Sequence, residues 1–99
     1  MKPTRFRPLS SEETEISFPL LECWNPLTRI ATIAAQVNKK RVLCRISMEI
    51  LQERFHASAE APMEAVVENR PAIERAARKL IEDERYEEDG SIIIRESDL

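Results

Sequence analysis

Ninety-nine residues carry 15 Lys and Arg against 18 Asp and Glu, a net charge of −3, with 42% apolar and 33% charged side chains. A chain this short has room for one hydrophobic core, and its balance of apolar and charged residues is that of a globular protein rather than a disordered one. A single glycine, Gly90, excludes the glycine-rich phosphate cradles, and a single histidine, His56, with no Cys-x-x-Cys pair excludes the common zinc cages.

Residues 1–14 hold Pro3, Pro8 and Ser10-Ser11-Glu12-Glu13-Thr14 without apolar periodicity, and read as a mobile tail ahead of one domain over 15–99. No apolar segment follows Lys2, Arg5 and Arg7, so no secretory signal is expected. The mainly apolar run at 30–37 is too short for a bilayer, so no membrane partner is expected either. The compartment these features imply is the cytoplasm, with Cys23 and Cys44 reduced; a disulfide between them is the alternative.

Order is expected from Glu15, where Ile16 and Phe18 alternate with polar neighbours in a short strand that Pro19 confines to an edge. Leu20, Leu21 and Trp24 read as anchors of a loop, and Trp24-Asn25-Pro26 as a turn. Residues 28–37 and 40–47 are rich in Ile, Val and Thr and flank Asn38-Lys39. With those two residues as the loop, Val37 faces Lys40, Ala35 faces Val42, Ile33 faces Cys44 and Ala31 faces Ile46. That register puts most apolar side chains on one face and most polar ones, Arg41 and Arg45 included, on the other; a slip of one residue destroys the sorting.

Ser47 is placed to cap a helix carrying Met48, Leu51 and Phe55 on one face. Residues 56–62 read as a loop, with Pro62 in the first turn of the next helix. Met63, Val66 and Val67 form one patch, and Ile73, Ala76, Ala77, Leu80 and Ile81 continue a helical stripe. At Pro71 two outcomes stay open: a kinked long helix, or two helices meeting at Asn69. Acids crowd 82–89, opposing the helix dipole, so the last turn is expected to fray. Asp89-Gly90 then leads into Ile92-Ile93-Ile94, a third main strand in which at least one isoleucine must find cover off the main face. The succession implies an α+β fold: a small antiparallel sheet, formed by the short N-terminal strand, the hairpin and the C-terminal strand, with two to three helices packed on one face.

Ile16-x-Phe18-Pro19, Lys40-Arg41-Val42-Leu43-Cys44-Arg45-Ile46-Ser47, Leu51 with Phe55, Asn69-Arg70 with Ile73-Glu74 and Ala77, and Asp89-Gly90 before a β-branched strand together form a set. Over 15–99 this set resembles a domain-of-unknown-function family of small bacterial proteins, numbered 1488. The resemblance implies a compact α+β fold and a bacterial source, and brings no catalytic residue with it. Where relatives have a glycine in the hairpin turn, this chain has Asn38-Lys39.

Charge is the most uneven feature. Between Glu22 and Glu49 there are five cations, Arg29, Lys39, Lys40, Arg41 and Arg45, and no acid. These five are the candidate binding residues, for nucleic acid or a phosphate ligand; the alternative is a solubilising sheet face that balances the acidic helices. No aromatic residue interleaves them, which argues against single-strand stacking. Cys44, between Val42 and Ile46, is expected inside the core rather than as a nucleophile. His56 reads as a helix-end residue, and the acids of 82–89 as a solvated loop lacking the calcium-loop spacing. No catalytic residue, metal or cofactor is assigned. The function expected is a non-enzymatic protein-interaction module, its partner another protein or a second copy of the chain; the alternative is a nucleic-acid or phosphate-ligand accessory protein using the basic hairpin.

Overall fold

The computed structural model describes residues 15–99; the tail expected over 1–14 lies outside the described residues. Five strands, β1 (Ile16–Ser17), β2 (Glu22–Asn25), β3 (Ile30–Val37), β4 (Lys40–Ser47) and β5 (Ile92–Ile94), form one sheet. Three helices, α1 (Met48–Phe55), α2 (Pro62–Glu68) and α3 (Arg70–Glu82), lie between β4 and β5, and a 3-10 turn, Glu96–Asp98, follows β5. The α+β class expected from the sequence is the class observed.

The β3–β4 hairpin has the register read from its alternation: Val37↔Lys40, Ala35↔Val42, Ile33↔Cys44 and Ala31↔Ile46. Asn38 and Lys39 both take positive φ, 50° and 73°, the geometry of a two-residue type I′ turn. β1 and β2 share the free edge of β3, β1 against residues 36–37 and β2 against residues 30–33. β2 replaces the loop expected around Trp24, because the backbone of residues 22–25 pairs fully with β3. The turn begins one residue later than expected, at Asn25, whose Oδ1 accepts from the N–H groups of Leu27 (2.9 Å) and Thr28 (3.3 Å).

The sheet is mixed where a wholly antiparallel one was expected: β5 runs parallel to β4, with Cys44↔Ile92 and Ile46↔Ile94 in register. A parallel neighbour needs a crossover of a dozen residues or more, and residues 48–91 supply it. Ser47 caps α1 by accepting from Ile50 N–H (3.3 Å). At Pro71 the chain breaks rather than kinks. α2 ends at Glu68, Asn69 donates from Nδ2 to Ala65 O (2.8 Å), and Pro71 sits in the first turn of α3, where no N–H is missed. α3 stops at Glu82, and Glu84 at φ 57° closes it: Glu84 N–H donates to Ile81 O and Arg85 N–H to Leu80 O.

The helices cover one face of the sheet. Ile33, Cys44, Ile46, Ile92 and Ile94 from the strands meet Leu51, Val66, Ile73 and Ala77 from the helices in one core. Trp24 and Phe18 pack at its margin. Ile93 is the isoleucine left on the other face, half-buried.

Candidate functional site

The uncovered face of the sheet follows from strand alternation: β3 points Ile30, Thr32, Ala34 and Gln36 away from the helices, and β4 points Arg41, Leu43 and Arg45 the same way. Cys23 and Asn25 of β2, opposite Thr32 and Ile30, extend this face to one edge, and Ile93 of β5 extends it to the other. A shallow hollow of about 550 Å³ runs across it, floored by Ile30, Thr32 and Leu43 and bounded by Cys23 and Arg45. Leu43 is 39% exposed and Leu21, whose carbonyl accepts from the Ala34 N–H at the upper margin, is 47% exposed. This face is partly apolar and carries the free, exposed thiol of Cys23.

The structure does not gather the five candidate cations into one patch. Arg29, at φ 58° in the β2–β3 turn, stands beside Ser47 and Met48, whereas Lys39 and Lys40 occupy the opposite tip of the hairpin, about 26 Å away by strand rise. Arg41 and Arg45 share the uncovered face as expected, about 13 Å apart along β4. Arg45 already has a partner: its Nη1 lies 3.3 Å from Asp89 Oδ2. Asp89 is pinned in turn, its Oδ1 accepting from Ser91 Oγ (2.6 Å) and Ser91 N–H (2.9 Å). The Ser91 bonds first, then Arg45, hold its carboxyl below the usual range.

Cys44 is fully buried, and burial pushes its thiol up to about 12. A nucleophile needs the opposite shift, so this sulfur is a packing group. Cys23 is exposed, and the two thiols are free, so the disulfide alternative falls. His56 ends α1 in the left-handed conformation at φ 56°, and its backbone N–H, not its ring, meets the last carbonyls. In the acidic 82–89 segment, Glu87 lies 3.7 Å from Arg95 and Asp89 meets Arg45; among the described residues no group of three or more His, Cys, Asp or Glu gathers as metal ligands. No described helix is long and apolar enough to cross a membrane.

Two features escape a reading of the sequence. Arg70 is buried, with Nη1 2.6 Å from Glu22, Nε 2.7 Å from Glu74 and Nη2 donating to Pro19 O at 2.8 Å. It ties the β1–β2 connection to α3; a lone arginine at the start of a helical stripe gives no warning of this. The other feature is a groove of about 520 Å³ between the end of α1 and α3, where Arg54, Arg75, Arg78 and Lys79 converge over Phe55 and Ala76. Arg54 joins the α3 cations from another helix, and acids outnumber cations over residues 49–99 as a whole, which hides the concentration of positive charge.

The family model for a protein of unknown function, DUF1488, matches residues 16–94. The chain belongs to the DUF1488 family. A solved structure similar to this DUF1488 protein is the crystal structure of a protein of unknown function from the same family in Shewanella loihica PV-4. The two are 24% identical with a TM-score of 0.73, over 80% of this chain and 90% of that one. At that identity the likeness concerns the fold alone. No curated protein matches. The family resemblance read from the sequence is therefore the membership found, and DUF1488 brings no assigned activity to any residue described above.

Proposed function

We propose that this DUF1488 protein is a non-enzymatic interaction module working through the uncovered face of its sheet, with a second copy of the chain as the partner that face fits. The observation that carries this reading is a sheet covered on one side only, whose other side leaves Leu43 of β4 exposed and Ile30 of β3 and Ile93 of β5 half-buried. Two eight-residue strands flanked by the shorter β1, β2 and β5, at about 3.3 Å per residue and about 4.8 Å between strands, give a face of about 400 Å². Two such faces together bury about 800 Å², the range of weak, transient contacts, so the dimer depends on concentration. The charges do not oppose it: Arg45 is neutralised by Asp89 within its own copy, and Arg41 sits at one end of the face.

Sedimentation velocity across the micromolar to sub-millimolar range tests this. The expected result is a monomer–dimer shift that Leu43→Glu abolishes while Tyr86→Ser, off the face, leaves it in place. A monomer at every concentration overturns it. The nucleic-acid or phosphate-ligand reading rests on Lys39, Lys40 and Arg41 alone, since Asp89 occupies Arg45 and Arg29 stands at the far end of the hairpin. A short duplex that fails to shift at low salt removes that reading; a shift lost with Arg41→Glu would support it.

A further inference from the structure

Residues 49–99 contain seven cations and fourteen acids, yet four of the seven cations line the groove between α1 and α3 and only two of the acids do, Glu82 and Asp98. We propose that this groove binds an acidic peptide segment of a partner protein, with spaced carboxylates on its arginines and one apolar side chain against its floor. The site lies on the helical side, away from the sheet face described above, and is independent of it.

The cations stand on two walls. Arg54, in the last turn of α1, forms one; Arg75 and Lys79, one turn apart on α3, form the other. Arg54 and Arg75 are exposed and have no ion-pair partner among the described residues. Lys79 reaches Asp83 only at 3.8 Å with its side chain 77% exposed, a contact water competes with readily. Arg78 is committed, lying 5.7 Å from the Phe18 ring centroid and donating to Ile16 O at 3.4 Å, so it closes one end of the groove. The floor is Phe55, half-buried, with Ala72 and Ala76, whose small side chains let a backbone approach closely.

These features select the occupant. Guanidinium groups suit planar carboxylates, which they hold with two parallel hydrogen bonds. A free phosphate site would draw on backbone N–H groups, whereas Arg75 and Lys79 lie about 1.4 and 2.5 turns along α3 from its N-terminus at Arg70. A polyanion such as nucleic acid would meet Glu82 and Asp98 along with the cations, whereas a peptide can place its acids to avoid them. A volume of about 520 Å³ falls in the range of pockets that take a few side chains.

The test uses the full chain and a fluorescein-labelled peptide, Glu-Asp-Phe-Glu-Glu-Leu-Glu, followed by fluorescence anisotropy at low salt. Micromolar binding is expected, weakened at least about tenfold by Arg54→Gln with Arg75→Gln, and unchanged by Arg41→Gln on the sheet face. Replacing the peptide's acids with Gln, or its Phe and Leu with Ser, should also cost most of the affinity. The Gln pair leaves the core untouched, and circular dichroism checks that the variant folds; should it not, Arg75→Gln alone serves. Absence of binding, binding indifferent to these substitutions, or equal binding of polyglutamate or a single-stranded oligonucleotide would overturn the proposal.

Discussion

Arg70 aims three nitrogens at three separate acceptors, one on α3, one on β2 and one in the connection before it. Burial works against its charge, but the bonds to Glu74 and Glu22 outweigh that and hold its pKa above the ordinary arginine value. Removing the guanidinium strands two carboxylates and the Pro19 carbonyl. Because Glu22 and Glu74 keep 24% and 30% of their side chains in water, the loss falls below that of a fully buried pair. Arg70→Met should therefore lower stability by about 2–3 kcal/mol in urea unfolding, and Arg70→Lys should recover less than half, since one ammonium cannot span three directions. Cys44 supplies a second residue-scale prediction. Its folded-state thiol titrates near 12 instead of the ordinary 9.0, so the folded protein keeps a proton the unfolded chain has released. Its contribution is complete below pH 9.0 and is lost as pH rises toward 12. Urea midpoints should fall along that alkaline limb, and Cys44→Ala should flatten it, separating the thiol from Tyr86, whose phenol burial also pushes up. Iodoacetamide at neutral pH should label Cys23 alone until the chain unfolds.

At the level of elements, the chain turns several times through the left-handed region without glycine. Lys39 at φ 73° closes the β3–β4 hairpin, and Glu84 at φ 57° closes α3 in the position where glycine is the usual residue. Neither side chain makes a hydrogen bond or a close ion pair among the described residues that a substitution would sacrifice. Lys39→Gly and Glu84→Gly should each raise stability by about 0.5–1 kcal/mol, and the two should add, since they lie in separate turns; thermal melts of the single and double variants check this. Asn38 is different, because its Oδ1 accepts from Glu15 N–H at 2.9 Å and its own N–H donates to Glu15 O at 2.9 Å, prolonging the β1–β3 pairing. The hairpin register was legible because eight alternating residues on each side admit only one sorting of polar from apolar. The direction of β5 was not, because three identical isoleucines read the same either way and direction is set by where α3 ends. β2 was hidden by Glu22, which breaks the apolar pattern opposite Ile33 and is paired by Arg70, 48 residues on. The Arg45–Asp89 pair spans 44 residues, so a count of local charge overstated the free cations on the hairpin. The α1–α3 groove was missed because its fourth cation, Arg54, comes from another helix and a charge count over residues 49–99 is dominated by acids outside the groove.

The parallel closure decides how the whole molecule unfolds. Ile92 and Ile94 are fully buried between β4 and α3, so the last strand seals a core whose other walls come from the hairpin and from all three helices. No subset of these elements buries Leu51, Val66 and Ile73 without it, and a chain of this size has little stability to spare. Ile94→Ala should cost about 3–4 kcal/mol, since the deleted methylenes leave a cavity against β4 and α3 that cannot collapse without breaking strand pairing. Loss of the C-terminal strand should be felt at the opposite edge of the sheet, where Trp24, the sole tryptophan, packs against the same core from β2. Two probes can follow this: tryptophan fluorescence reports the β2 edge, and far-ultraviolet circular dichroism near 222 nm reports the helices. If the core is continuous, the two transitions coincide in the native chain, and both move by the same amount in Ile94→Ala. Fluorescence that stays at its native midpoint while the helical signal shifts would mean that β1–β4 hold together without the crossover, and that the sheet and the helical layer unfold as separate cooperative units.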